Sequence, residues 1–237
     1  MAMSTFYAGT SGWTYATWKP DFYPAKLAST KFLSHYAGRL NTVEVNYTFR
    51  AFPTEKLLTK WVAETPAGFK FAVKANQRIT HIKRLRDAAQ ITTDFLNALR
   101  PLQDARKLGP VLFQLPPYAK FDAGLLQEFL GGLPRRFPAA FEFRHESWFA
   151  EEAYQLLREA NAALCEAESE KLETPHVETA DFAYLRLRKE EYSAPELAQL
   201  KKRIQSLLEK GDAYAYFKHE ETPQGALNAE RLLQNLR

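Results

Sequence analysis

The feature that most constrains this chain is an alternation, repeated eight times, of short β-rich runs with longer stretches of helical periodicity. The runs lie at 6–9, 42–47, 69–74, 110–115, 140–144, 163–167, 182–187 and 213–218, and most are rich in Val, Phe, Tyr or Leu. Helices are expected between them at 30–39, 54–64, 86–106, 123–130, 150–160, 194–210 and 224–236. Ser29, Thr54, Asp122 and Ser193 stand where N-caps belong. The sixth crossover, 168–181, is short and polar and has room for a shortened helix at most. Strand–helix alternation requires parallel strands, and eight units favour closure into a (β/α)8 TIM barrel. The 237 residues suit one such domain spanning 1–237. The alternative is an open doubly wound sheet. Its usual Gly-x-Gly-x-x-Gly turn is missing after the first strand, where Gly9-Thr10-Ser11-Gly12 stands.

Side chains alternate across a strand, so each run divides into two faces. In the second, Val43, Val45 and Tyr47 oppose Glu44 and Asn46. In the third, Phe69, Phe71 and Val73 oppose Lys70, Ala72 and Lys74. The same sorting sets Gln114, Glu142, Arg144, Arg186, Arg188 and Lys218 on the inward face, near the C-terminal ends of their strands. Active sites of this fold are built at that end. Charges buried there need partners or a ligand. One reading pairs Glu44 and Glu142 with Lys74 and Arg144 as structural ion pairs. Yet five cations face two carboxylates, and that surplus suits a phosphate or carboxylate ligand held by an arginine fork and a lysine point charge.

Several ordered strings resemble the domain-of-unknown-function 72 (YecE-like) family. They are Gly9-Thr10-Ser11-Gly12-Trp13-x-Tyr15-x-x-Trp18 with Phe22-Tyr23-Pro24, Val43-Glu44-Val45-Asn46-Tyr47-Thr48-Phe49, and Phe69-Lys70-Phe71-Ala72-Val73-Lys74 with Ile79-Thr80-His81. Leu108-Gly109-Pro110-Val111-Leu112-Phe113-Gln114-Leu115-Pro116-Pro117 and Glu142-Phe143-Arg144-His145-Glu146-Ser147-Trp148 follow. The resemblance covers the first two thirds of the chain well and the remainder more weakly. It implies a TIM barrel and no defined activity. Against the family pattern the chain departs in three places. Arg186-Leu187-Arg188-Lys189 replaces Arg-x-His-Gly, Glu168 replaces an aspartate, and Phe217-Lys218-His219 replaces an Asn-containing turn.

Lys74, Glu142 and Arg144 form the candidate catalytic group. An inward lysine among apolar neighbours can act as a base or Schiff-base former, with Glu142 as general acid or base and Arg144 orienting an anion. A salt-bridged Lys-Glu-Arg cluster is the structural alternative. Candidate ligand-binding residues are Ser11, Trp13, Tyr15, Glu44, Asn46, His81, Gln114, Trp148 and Arg186. Trp18 and Tyr23 read as packing residues, while Ser11 and its neighbouring amides read as a small anion nest. His81, His145 and His219 all follow strands, but no His-x-His or His-Glu-x-x-His spacing supports a metal site, and neither a metal nor a cofactor is expected. The single cysteine, Cys165, lies in an apolar run and reads as an inert buried thiol.

A net charge of +4 and an isoelectric point near 9.0 tilt the chain mildly towards anionic partners. No apolar run is long enough to span a membrane, and the first residues lack a secretory pattern, so a cytoplasmic protein without membrane contact is expected. Three functions fit these features. One is a metal-independent enzyme acting on a phosphorylated or otherwise anionic small molecule. The second is a nucleic-acid-binding or processing protein that uses Lys83-Arg84-Leu85-Arg86 on phosphates and aromatics on bases. The third is a ligand-binding barrel without catalysis.

Overall fold

The computed structural model describes residues 4–169, 172–218 and 221–236. They form eight parallel strands: β1 (Phe6–Thr10), β2 (Thr42–Val45), β3 (Lys70–Lys74), β4 (Leu108–Gln114), β5 (Ala139–Glu142), β6 (Ala163–Ala167), β7 (Phe182–Leu187) and β8 (Asp212–Phe217). Each strand neighbours the next in sequence, and β8 pairs back onto β1, so the sheet runs β1-β8-β7-β6-β5-β4-β3-β2. The helices are α1 (Phe32–Arg39), α2 (Glu55–Ala63), α3 (Ala89–Ala98), α4 (Arg100–Asp104), α5 (Ala123–Gly131), α6 (Glu151–Glu159), α7 (Ala194–Leu208) and α8 (Gln224–Asn235).

The last seam, between β1 and β2, is closed largely by side chains. A single backbone bridge joins Ser11 to Glu44. Below it, Asn41 accepts from the Ala8 amide at 2.9 Å and donates to the Phe6 carbonyl at 2.8 Å. The Tyr36 hydroxyl accepts from the Thr10 amide at 2.8 Å and donates to the Thr42 carbonyl at 3.0 Å. These two residues satisfy buried backbone groups that a ladder would otherwise pair. Gly9 permits the approach, because a Cβ there would lie 2.1 Å from the Thr42 carbonyl oxygen.

Three helix expectations are corrected. The expected helix over 86–106 begins only at Ala89 and breaks between α3 and α4, where Pro101 stands in the first turn of α4. Proline lacks the amide that a continuous helix would need. Ser29 opens a short 3-10 turn instead of capping α1, whereas Thr54, Asp122 and Ser193 do cap their helices. Ser193 forms a full capping box with Glu196. Among the described residues of the sixth crossover there is no helix at all. The segment has no regular secondary structure, turns tightly where the Val177 amide donates to the Pro175 carbonyl, and is pinned to β6 by threonines. Thr179 Oγ1 donates to the Ala162 carbonyl at 2.7 Å and accepts from the Leu164 amide at 2.8 Å, while Thr174 Oγ1 donates to the Ala167 carbonyl at 3.2 Å.

Two apolar regions follow from strand alternation. Outward residues such as Val43, Phe71, Val73, Phe113, Phe141 and Leu185 pack into the core shared with the helices. Inward, β3 to β6 contribute the smaller Ala72, Leu112, Ala140, Ala163, Cys165 and Ala167, and the opposite wall contributes Tyr184, Tyr214 and Tyr216. Large rings facing small residues fill the barrel, and the hydroxyls of Tyr184 and Tyr216 find partners; that of Tyr216 lies 2.8 Å from Thr42 Oγ1. Cys165 is buried as a free thiol, and burial raises its pKa. No helix among the described residues is long and apolar enough to cross a membrane.

Candidate functional site

At the C-terminal ends of the strands the inward face changes from apolar to ionic. Arg186, one position before the end of β7, lies at its centre and joins two carboxylates from opposite sides of the barrel. Its Nη2 donates to Glu44 of β2 at 2.8 Å and its Nη1 to Glu142 of β5 at 2.6 Å. Glu44 also accepts from Ser11 Oγ at 2.7 Å and from the Tyr184 hydroxyl at 2.7 Å. Glu142 pairs further with Arg144 at 2.5 Å and Arg188 at 3.2 Å. Burial alone would raise both carboxyls. Arg186, with the hydroxyl donors, instead holds Glu44 low, and Arg186, Arg188 and Arg144 hold Glu142 down at about 2.

Lys74, the last residue of β3, departs from the pairing that its sequence position suggests. Among the described residues its ammonium pairs with neither Glu44 nor Glu142. It donates to Gln114 Oε1 at 2.7 Å, and Gln114 stands beside Glu142 in the strand register and helps to hold that carboxyl low. The Phe49 ring lies under it, with the nitrogen 4.3 Å from the centroid. Burial and the nearby charge of Arg186 lower the Lys74 pKa to about 8, against the opposing pull of Glu44 and Glu142. His81 stands edge-on to the same Phe49 ring at 4.9 Å, and its Nδ1 lies 2.9 Å from Thr80 Oγ1. Burial, Lys74 and Arg144 all lower its pKa, so at neutral pH the imidazole is uncharged.

The structure therefore brings Ser11, Glu44, Lys74, His81, Gln114, Glu142, Arg144 and Arg186 into one connected region. Other sequence candidates lie elsewhere. Trp13 is buried edge-on against Trp61, and its carbonyl accepts from the Tyr23 hydroxyl. Trp148 is buried, stacked on Phe143 at 4.1 Å, with its indole donating to the Ala119 carbonyl. Both are packing residues, as Trp18 and Tyr23 are. Tyr15 is half-buried and donates to the Ser11 carbonyl at 2.8 Å. Asn46 is half-buried at the turn that ends β2. The expected anion nest at Ser11 does not form, because the Ser11 amide donates to the Phe217 carbonyl and the Gly12 amide to the Thr10 carbonyl. Lys218 is exposed, which reduces the inward cations from five to four. His145 accepts from the Ser147 amide and caps the turn that follows β5, and His219 lies outside the described residues. Among the described residues no group of three His, Cys, Asp or Glu side chains is placed to hold a metal.

Sequence reasoning left three participants out of the candidate site. Tyr184 shares the inward face of β7 with Arg186, so alternation alone pointed to it. Phe49 lies in a turn beyond β2, where strand alternation has no purchase. Glu168, noted as a departure from the family pattern, has a definite task. One of its oxygens accepts from the amides of Arg188 and Lys189, at 2.6 and 3.2 Å, and from the Tyr192 hydroxyl. The longer acid thus fixes the backbone that carries Arg188, while Lys189 itself points away to pair with Glu196 at 2.7 Å.

Eight parallel strands closed into a barrel, with an ionic cluster at their C-terminal ends, define a (β/α)8 TIM barrel with a polar site where this fold places its active sites. The chain belongs to the DUF72 family, described as "Protein of unknown function DUF72", whose model matches residues 7–237. It is 33% identical over 159 residues to the UPF0759 protein YunF of Bacillus subtilis, a match covering 63% of this chain and 54% of that protein. It is 32% identical over 145 residues to the UPF0759 protein YecE of Escherichia coli K12, covering 61% of this chain and 50% of that one. The matches thus span about half the length of these curated relatives. A DUF72 family protein (TM1631) of Thermotoga maritima superposes with a TM-score of 0.85 at 29% identity, over 98% of this chain and 99% of that one. An AP endonuclease of family 2 from Brucella melitensis superposes at 0.52 with 11% identity, over 92% and 93% of the two chains, a likeness of fold alone.

Proposed function

We propose that the barrel mouth binds a small molecule through a phosphate or carboxylate group, and that the chain is a cytoplasmic, metal-independent enzyme acting on that molecule. The supporting observation is how the charges are layered. The Glu44 and Glu142 side chains are 0% exposed and that of Arg186 is 4%, while Arg144 and Arg188 keep 25% and 20%. Half-buried Lys74 and His81 complete the rim. The carboxylates therefore lie beneath, and the part of the cluster that meets solvent is cationic. Set against Glu44, Glu142 and the Glu168 that holds the Arg188 backbone, the four cations leave a small positive surplus among half-buried side chains, where an anion gains more than it would on an open surface. Inorganic phosphate is expected to bind in titration calorimetry, and Arg144→Ala or Lys74→Ala should weaken it by about tenfold or more, the loss of one charge-assisted hydrogen bond. Affinity unchanged in both variants would overturn the reading, and a stoichiometric metal in the purified protein would overturn its metal-independent part.

A second reading, nucleic-acid binding at the same mouth, has an observation of its own. The large exposed hydrophobics Tyr47, Ile82 and Tyr118 lie on the loops after β2, β3 and β4, among exposed Lys83, Arg84, Arg86 and Lys120. Aromatic and basic groups interleaved in this way suit stacked bases and phosphates. On this reading oligonucleotide affinity falls steeply with salt, and neutralising Arg84 and Arg86 together lowers the log–log slope by about 1–2. Salt-independent or undetectable binding would remove it.

A further inference from the structure

We propose that Lys74 is a nucleophilic amine that forms an imine with its substrate, which makes the substrate class an aldehyde or ketone carrying a phosphate or carboxylate. The inference rests on the anion site proposed above and adds the reacting group to it. The cluster's most telling feature is the neutral spacer between Lys74 and Glu142. Gln114 accepts from the lysine and stands beside the carboxylate in the strand register, so the ammonium is positioned without being paired. Were a carboxylate at position 114, a direct ion pair would keep the lysine protonated. The surrounding positive charges act in the opposite sense. Burial disfavours the charged form most, and Arg186 and Arg188 add to it, so about half of Lys74 is free amine near pH 8. A desolvated lysine beside other cations is the arrangement that makes an amine nucleophilic.

The remaining groups suit the steps that follow. The substrate's anionic group would lie against Arg144 and Arg188, the half-buried arginines of the cluster that meet solvent. The neutral Lys74 nitrogen attacks the carbonyl carbon; the C–N bond forms as the C=O π bond opens, and a proton passes from nitrogen to oxygen to give a carbinolamine. A second proton, taken up from solvent, lets the hydroxyl leave as water; the C–O bond breaks as the nitrogen lone pair forms the C=N bond, leaving a protonated imine whose charge the substrate's own anion offsets. His81, uncharged at neutral pH and near enough to Lys74 for their charges to interact, is the group suited to carry that proton. Glu142 is not, because three arginines hold it ionised.

The test uses glyoxylate, an aldehyde bearing a carboxylate, and propionaldehyde, which bears no charge, each with cyanoborohydride at pH 8, followed by peptide mapping. Glyoxylate should label Lys74 about tenfold or more faster than exposed lysines such as Lys83 and Lys120, a conservative reading of the difference in free-amine fraction. Added phosphate should suppress that labelling, and propionaldehyde should show little preference. Gln114→Glu should abolish the preference at pH 8 and restore it near pH 10, a pH shift that misfolding would not produce. Lys74→Arg should lose the label yet still bind phosphate. Lys74 labelling no faster than Lys83, or unchanged in Gln114→Glu, overturns the imine inference. If phosphate binding nevertheless depends on Arg144, the anion site survives that failure. If phosphate neither binds nor protects while Lys74 labels equally with both aldehydes, the anion reading falls instead.

Discussion

Replacing Arg186 by methionine is expected to lower the stability of the barrel by about 3–5 kcal/mol, the usual cost of removing one partner from a buried ion pair. Arg186 is the only contact that joins Glu44 to Glu142 directly among the described hydrogen bonds, and its side chain is sealed at 4% exposure. Methionine fills much of the volume but leaves two carboxylates beneath the mouth. Glu142 would keep Arg144 and Arg188, whereas Glu44 would keep only the hydroxyls of Ser11 and Tyr184. Glu44 is therefore the group expected to take up a proton, and its neutralisation should lessen the loss as pH falls. Arg186→Lys is expected to recover only part of the stability, because a single ammonium cannot reproduce a fork that reaches two acceptors on opposite walls. Urea unfolding followed by tryptophan fluorescence measures both variants. A loss below about 1 kcal/mol in Arg186→Met, the range of an exposed pair, would mean that the bridge contributes little.

How far this cluster was legible in the sequence depends on which rule governed each residue. Lys74, Gln114, Glu142, Tyr184 and Arg186 fell on the inward face by strand alternation, which holds wherever both faces of a strand are covered. Partner choice was not legible. Lys74 and Glu142 looked like an ion pair because pairing depends on how far each strand is staggered along the barrel, which residue type does not encode. Register sets Gln114 beside Glu142 and Lys74 beside Leu112, so the amide falls between the two charges. The loop residues were read least well. Trp13 and Trp148 follow strands, as ligand-contacting aromatics would, yet each is drawn into the core by ring partners, Trp61 and Phe143, whose proximity is set by tertiary packing. The seam residues Asn41 and Tyr36 went unread for a related reason. Their role arises only because β1 and β2 close the barrel without a full ladder.

Converting Glu142 to glutamine should cost on the order of 3 kcal/mol at neutral pH and progressively less in acid. Its carboxyl is lowered from an ordinary 4.5 to about 2 in the folded protein, and each unit corresponds to about 1.4 kcal/mol. A folded-state pKa below the unfolded one means that the stabilisation is complete above about pH 5 and disappears as pH falls through 2. In strong acid the wild-type side chain is itself uncharged, and the two proteins should converge. Urea midpoints measured between pH 7 and pH 3 test this, and a gap that stays constant over that range would refute it. The same substitution also reaches the proposed nucleophile. Glu142 favours the charged form of Lys74 at a distance, through field alone, since Gln114 keeps them apart. Removing that field should lower the Lys74 pKa further and speed its labelling at neutral pH, even as the barrel becomes less stable. A purely structural carboxylate would slow or leave unchanged the reactivity of its neighbours when lost. Faster labelling in a weakened protein would therefore separate the two roles of Glu142, anchoring three arginines and setting the charge of the lysine beyond them.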